Sequence, residues 1–148
     1  MHTFPGLRYH FLSLLVTMYA AAEPPIPSGQ PLREIAARIA PVGNVYIGGT
    51  TALHKPSYTS GLLDREFSYI TPENDFKQST IHPRPGVWNW EGADAWLEHA
   101  VEQRQVVRLH GPISPQVSKW TLADNRRPEE LEQNLVEFMT ALCQRYNG

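Results

Sequence analysis

Apolar positions along this chain fall into short runs alternating with longer stripes of period 3.6, the pattern of strands alternating with helices. Pro31 to Ile39 carries Leu32, Ile35, Ala36 and Ile39 on one helical face. Asn44-Val45-Tyr46-Ile47-Gly48-Gly49 predicts a first buried strand ending in glycines. Ser57 to Phe67 predicts a short helical connector and Ser68 to Thr71 a second strand, followed by a loop through Pro83, Pro85 and Gly86. Ala93, Trp96, Leu97, Ala100 and Val101 recur at helical spacing, and Gln105 to His110 reads as a third strand. Pro128-Glu129-Glu130 opens a last helix, with proline in its first turn and two acids facing its positive end. Leu131, Leu135, Phe138, Met139, Leu142 and Tyr146 form its buried stripe, and Cys143 is expected to be a buried, inert thiol there. Arg127 stands where Ser, Thr or Asp usually caps, so that end is expected to fray or to take Asp124 or Asn125 as its cap. Three strand–helix alternations with right-handed crossovers predict parallel strands.

Polar residues gather where two of these strands end. The run Phe67 to Ile70 breaks at Thr71-Pro72 and delivers Glu73, Asn74 and Lys77 within five positions. That set holds an anionic acceptor, an amide that donates and accepts, and an ammonium donor, the mixture a polyhydroxylated ligand needs. The third strand ends in His110-Gly111. Two polar clusters at successive strand ends point to the active face of a parallel β/α barrel. The spacing alone permits a plainer reading: Asn74 caps a helix, and Glu73 with Lys77 forms an exposed i,i+4 pair of a few tenths of a kcal/mol. His110 read alone is a packed, hydrogen-bonded histidine. Of the tryptophans, Trp96 lies on a core stripe, Trp88 and Trp90 are expected to pin their loop, and Trp120 is the best candidate to stack on a sugar ring.

Composition narrows the classes. With 41% hydrophobic and 19% charged residues, the 148-residue chain is an ordinary globular protein of one modest domain, too short for a complete eight-unit barrel of about 250 residues. Arg8, the apolar run Phe11 to Tyr19 and Ala20-Ala21-Ala22 predict a signal peptide over residues 1–22, and hence a secreted or periplasmic protein. Residues 23–31, with four prolines, predict a stiff linker. Removing the signal takes away Arg8 alone, leaving 12 basic and 15 acidic side chains, which gives nucleic acid no basic patch to bind. The single cysteine excludes an internal disulfide. The six histidines lack metal-ligand spacing, so neither a metal nor a cofactor is expected.

Several of these residues together resemble a known family. Thr71-Pro72-Glu73-Asn74-Asp75-Phe76-Lys77, then Ile81-His82-Pro83-Arg84-Pro85-Gly86-Val87-Trp88-Asn89-Trp90, then Ala93-Asp94 and Val107-Arg108-Leu109-His110 are similar to the first part of glycoside hydrolase family 10, the endo-xylanases and their relatives. The resemblance runs from about Leu32 to Gly148 and covers about the opening third of such a domain. It implies a partial TIM (β/α)8 barrel, about the first three β/α units, and a retaining glycoside hydrolase acting on xylan or a related β-1,4-linked polysaccharide. It also implies that Glu73, Asn74 and Lys77 contact hydroxyls on the glycone side of the cleaved bond, and that His110 contacts the sugar beside it.

The resemblance departs from the family in one run. Members usually follow the strand-three histidine with Thr-Leu-Val-Trp-His, whereas this chain reads His110-Gly111-Pro112-Ile113-Ser114-Pro115-Gln116, which implies a divergent branch. The two catalytic glutamates of the family stand at the ends of strands four and seven, so no catalytic residue is assigned here. The chain is read as carrying half of a substrate cleft, with a non-catalytic carbohydrate-binding fragment or pseudoenzyme as the alternative. Strands one and three, each lacking a neighbour, are expected to promote self-association through open sheet edges.

Overall fold

The structure, a computed structural model, describes residues 27–39, 45–52, 54–56, 61–124 and 126–147. The expected signal peptide and the first half of the expected linker lie outside these residues. In chain order the elements are α1 (Leu32–Ile39), β1 (Gly48–Thr51), α2 (Gly61–Glu66), β2 (Tyr69–Pro72), α3 (Gln78–Ile81), α4 (Glu91–Gln103), β3 (Val106–Val107), α5 (Lys119–Leu122) and α6 (Pro128–Arg145). The strands form one parallel sheet in the order β1-β2-β3, with Gly48 opposite Tyr69 and Ile70 opposite Val107. These are the parallel strands that the alternation of patterns predicts, and the arrangement agrees with the partial (β/α)8 barrel that the resemblance implies. Among the described residues no helix is long and apolar enough to cross a membrane.

The first strand begins later than its hydrophobic pattern suggests. Val45 and Tyr46 are half exposed, and pairing runs instead through Gly48, Gly49, Thr50 and Thr51. The reason is the partner. The Tyr69 ring lies across Gly48 so closely that a Cβ there would fall 2.0 Å from its Cζ, and only glycine fits. The third strand is also shorter than Gln105 to His110: after Val107 only the Arg108 N–H reaches the sheet, donating to the Ile70 carbonyl at 2.9 Å.

The core lies between sheet and helices, where Ile70, Phe76, Ile81, Ala93, Trp96, Phe138 and Leu142 pack together. Helix α4 contributes Ala93, Trp96 and Ala100 and ends at Arg104, whose left-handed φ of 53° is one that glycine usually supplies. The Arg33 guanidinium donates to the carbonyls of Gln103 (2.9 Å) and Arg104 (2.6 Å), so α1 satisfies that helix end. At the start of α6 Asp124 does not stand as the cap, and Asn125 lies outside the described residues. The Glu130 carboxylate instead accepts the Arg127 main-chain N–H at 3.1 Å, half of a capping box. Cys143 is exposed, not buried, because it sits one residue past the inward-facing Leu142.

Candidate functional site: a polar corner at the strand ends

Past Pro72 the chain is held by the sheet for one more bond, from Glu73 N–H to the Thr51 carbonyl at 3.0 Å. A turn then alternates its side chains. Phe76 is fully buried, and Asp75 turns inward to accept the Trp96 indole N–H at 2.6 Å. Asn74 and Lys77 line a cavity of about 580 Å³ with Gln116, Thr80, His54 and Lys119. The turn is closed by the Asn74 carbonyl, which accepts the Lys77 N–H and the Thr80 hydroxyl, both at 3.0 Å. Helix α3 starts only after Lys77, which is extended at φ −76°, ψ 148°.

Lys77 is 6% exposed, and its ammonium donates to Asn74 Oδ1 at 2.8 Å and to Gln116 Oε1. An ammonium only donates, so both amides must turn their oxygens to it and keep their NH₂ groups for other partners. The corner is therefore rich in donors, suited to ligand oxygens. Gly111, at φ +78°, packs against the lysine stem, with a Cβ there lying 3.0 Å from Lys77 Cγ. The exposed Glu73–Lys77 pair allowed by spacing does not form: Lys77 is buried and bound to the two amides.

Glu73 and His110 each stand three residues beyond the paired Ile70 and Val107, so neighbouring strands carry them to the same end of the sheet. Glu73 is partly buried and His110 exposed. Trp120 is not brought to this corner. Its indole N–H donates to the His82 carbonyl at 3.1 Å, and it borders a separate cavity of about 430 Å³ with His82, Gly86, Asp124 and Glu137. Trp88 stacks on His82 (4.0 Å, 11°), on Trp90 (5.4 Å, 1°) and on Phe138 (6.3 Å, 6°), the loop-pinning role expected of Trp88 and Trp90. Burial holds the His82 imidazole below its ordinary pKa, against an opposing pull from Glu137. Asp124 is held far below the usual carboxylate range by hydrogen bonds from Arg126 and, more weakly, from Asn134.

Sequence reasoning missed Gln116 and Ser118. Gln116 stands 39 positions from Lys77, and only the folded loop after β3 joins them. Ser118 is buried with its hydroxyl 2.6 Å from the His82 carbonyl. Among the described residues no group of three His, Cys, Asp or Glu could hold a metal ion.

Comparison with known proteins supplies the family. A family model described as glycosyl hydrolase family 10 matches residues 33–148. Endo-1,4-beta-xylanase 1 of Gibberella zeae is 28% identical over 109 residues, 72% of this chain and 31% of that protein. Endo-1,4-beta-xylanase B of Thermotoga neapolitana is 27% identical over 124 residues, 80% of this chain and 35% of the relative. Xylanase 10B from Thermotoga petrophila RKU-1, solved with xylobiose, has a TM-score of 0.71 at 27% identity, over 81% of this chain and 37% of that one. Native xylanase 10B from Thermotoga maritima has a TM-score of 0.68 at 28% identity, over 78% and 36%. The chain thus spans about a third of the length of these relatives. With the match covering nearly all of its described residues, the chain belongs to glycosyl hydrolase family 10.

Proposed function

We propose that this segment binds the glycone side of a β-1,4-linked plant polysaccharide, xylan or a close relative, for hydrolysis by a retaining glycosidase. Lys77 carries the reading: a buried ammonium held by two amide oxygens at a strand end, beside a cavity of about 580 Å³. In this role Asn74 and Lys77 donate to sugar hydroxyl oxygens, while Glu73 accepts from hydroxyl hydrogens. His110, at the neighbouring strand end, contacts the sugar next to the cleaved bond. Trp120 borders a different cavity and is left out of this set. Retaining hydrolysis also needs two carboxyl groups about 5–5.5 Å apart, and the residues named here are assigned to binding, not to that pair.

The test is titration of the 148-residue protein with xylotriose near neutral pH, followed by calorimetry or NMR. Lys77→Met keeps the packed stem and deletes the charged donor, whose hydrogen bonds contribute about 1.5–3 kcal/mol. Affinity is expected to fall about ten- to a hundredfold, with the melting temperature showing that the variant still folds. Equal affinity of the two proteins, or no binding by the unsubstituted one, overturns the reading.

A further inference from the structure

His82 has no part in the chemistry above, yet it is one of the most completely buried polar side chains, at 2% exposure. Neither ring nitrogen has a hydrogen-bond partner within the described structure. Trp88 covers one face of the ring, and the Trp120 ring meets it at 4.9 Å and 67°. A protonated imidazole needs acceptors for two N–H groups, and the described residues offer none, so the closed arrangement favours the neutral ring.

The His82 main chain is also a junction. Its carbonyl accepts the Ser118 hydroxyl at 2.6 Å and the Trp120 indole N–H at 3.1 Å. The Ser118 N–H in turn reaches Gln78 Oε1 at 3.4 Å. Gln78 directly follows Lys77, and Ser118 lies two residues after Gln116, the acceptor of the Lys77 ammonium. The aromatic stack therefore fixes the loop that holds the lysine in place.

We propose that His82 is the positioning residue of the sugar-binding corner, acting through Ser118 and Gln116 only while its ring is neutral, so that acid releases the corner. The proposal rests on the sugar-binding reading given above.

The charged groups around the ring agree with this direction. Glu137 of α6 faces it across the cavity of about 430 Å³, and the Asp124–Arg126 pair of the preceding loop lies beyond. Arg84, in the histidine's own loop, is exposed, and Lys119 of α5 lines the other cavity. Desolvation is the largest influence on the ring and disfavours its cation, while Glu137 partly offsets it. The sign follows. Below about pH 6.5 an opened or unfolded chain takes up a proton that the closed one refuses, so the closed state loses stability as pH falls toward its own lower pKa. Above about pH 6.5 this contribution does not vary.

The test measures thermal melting and xylotriose affinity of the full chain between about pH 7.5 and 5, with His82→Phe and Glu137→Gln as variants. In the unsubstituted protein both quantities are expected to fall together below about pH 6.5, affinity by roughly threefold or more. His82→Phe retains an aromatic ring for the stack and should flatten both curves. Glu137→Gln removes the group that eases protonation of the closed state, so it should deepen the acid loss. If His82→Phe keeps the acid loss, or does not fold and Glu137→Gln leaves the loss unchanged, the proposal is overturned. A melting shift without a change in affinity overturns the coupling to the corner. Absence of xylotriose binding at every pH, with the His82-dependent melting shift intact, overturns the sugar-binding reading and leaves the acid release of the stack standing.

Discussion

Lys77 and His82 lie five positions apart and are both more than nine-tenths buried, but their surroundings treat charge in opposite ways. The polar corner buries a cation and meets it with two amide oxygens, while Asp75 beneath it accepts an indole N–H. The aromatic stack buries an imidazole and leaves both nitrogens without partners among the described residues, relying on ring contacts with Trp88 and Trp120. Burying a polar group costs free energy unless it is hydrogen-bonded, so the two regions should fail differently. The corner should be sensitive to the loss of any one donor or acceptor. The stack should tolerate polar losses and respond to volume and protonation.

The largest expected effect lies under the corner. Trp96 is fully buried, so Trp96→Ala should cost about 3–5 kcal/mol from cavity formation. It also strips Asp75 of its donor, a further ~1–3 kcal/mol, against a typical margin of about 5–15 kcal/mol. Trp96→Phe isolates the polar part by keeping most of the ring volume. The matching change in the stack, Trp120→Phe, breaks one hydrogen bond at a partly buried site and should cost only about 0.5–1.5 kcal/mol. Urea unfolding of the three variants measures the difference. Equal costs for the two Trp→Phe changes would show that hydrogen bonding does not set the corner apart.

A smaller effect is expected at the far end of the stack, where Arg145 lies 5.0 Å over the Trp90 ring. Asp94 accepts the Arg145 Nε at 2.8 Å and the Tyr146 hydroxyl at 2.9 Å. The Arg145 hydrogen bond is the main reason its carboxyl stays below the usual range. A lowered folded pKa gives stability that is present above the unfolded pKa of about 3.9 and lost as pH falls through the folded value. Asp94→Asn should therefore flatten the stability profile below about pH 4. Because the pair faces solvent, less than about 1 kcal/mol is expected, and added salt should shrink it. Urea midpoints at neutral and acid pH decide the matter. An unchanged acid profile would show that the stack is not tied down by charge at this end.

Much of this contrast was legible in the sequence, for local reasons. Asn74 and Lys77 stand three positions apart in one turn, and Trp88 with Trp90 alternates around one residue, so chain position brings each of these pairs of side chains together. The periodicity of α4 and α6 identified Trp96, Phe138 and Leu142 as core. What stayed hidden depends on partners far along the chain. Gln116 carries no local mark of its bond to Lys77. Val45-Tyr46 has better strand propensity than Gly48-Gly49, yet pairing runs through the glycines, the first of which lies under the Tyr69 ring. Nothing near Trp120 in sequence shows that the His82 carbonyl takes its N–H. The unpaired nitrogens of His82 likewise have no signature in composition or spacing.

The smallest expected effect concerns Cys143 on α6, the helix that closes the aromatic stack through Phe138. A stripe argument puts Cys143 with the core, but one residue is a rotation of about 100° around a helix. Leu142 already occupies the inward direction, at 2% exposure, so its neighbour must face outward. A thiol in that position packs against little, and Cys143→Ser should change unfolding stability by no more than about 0.5 kcal/mol. Reactivity gives the positive signal. In the folded protein without denaturant, a thiol reagent should label Cys143 at a rate close to that of a free peptide thiol, and unfolding should accelerate it little. Protection that disappears only on unfolding would put the thiol back inside, and would mean that α6 presents a different face to Trp88 than the stacking of Phe138 requires.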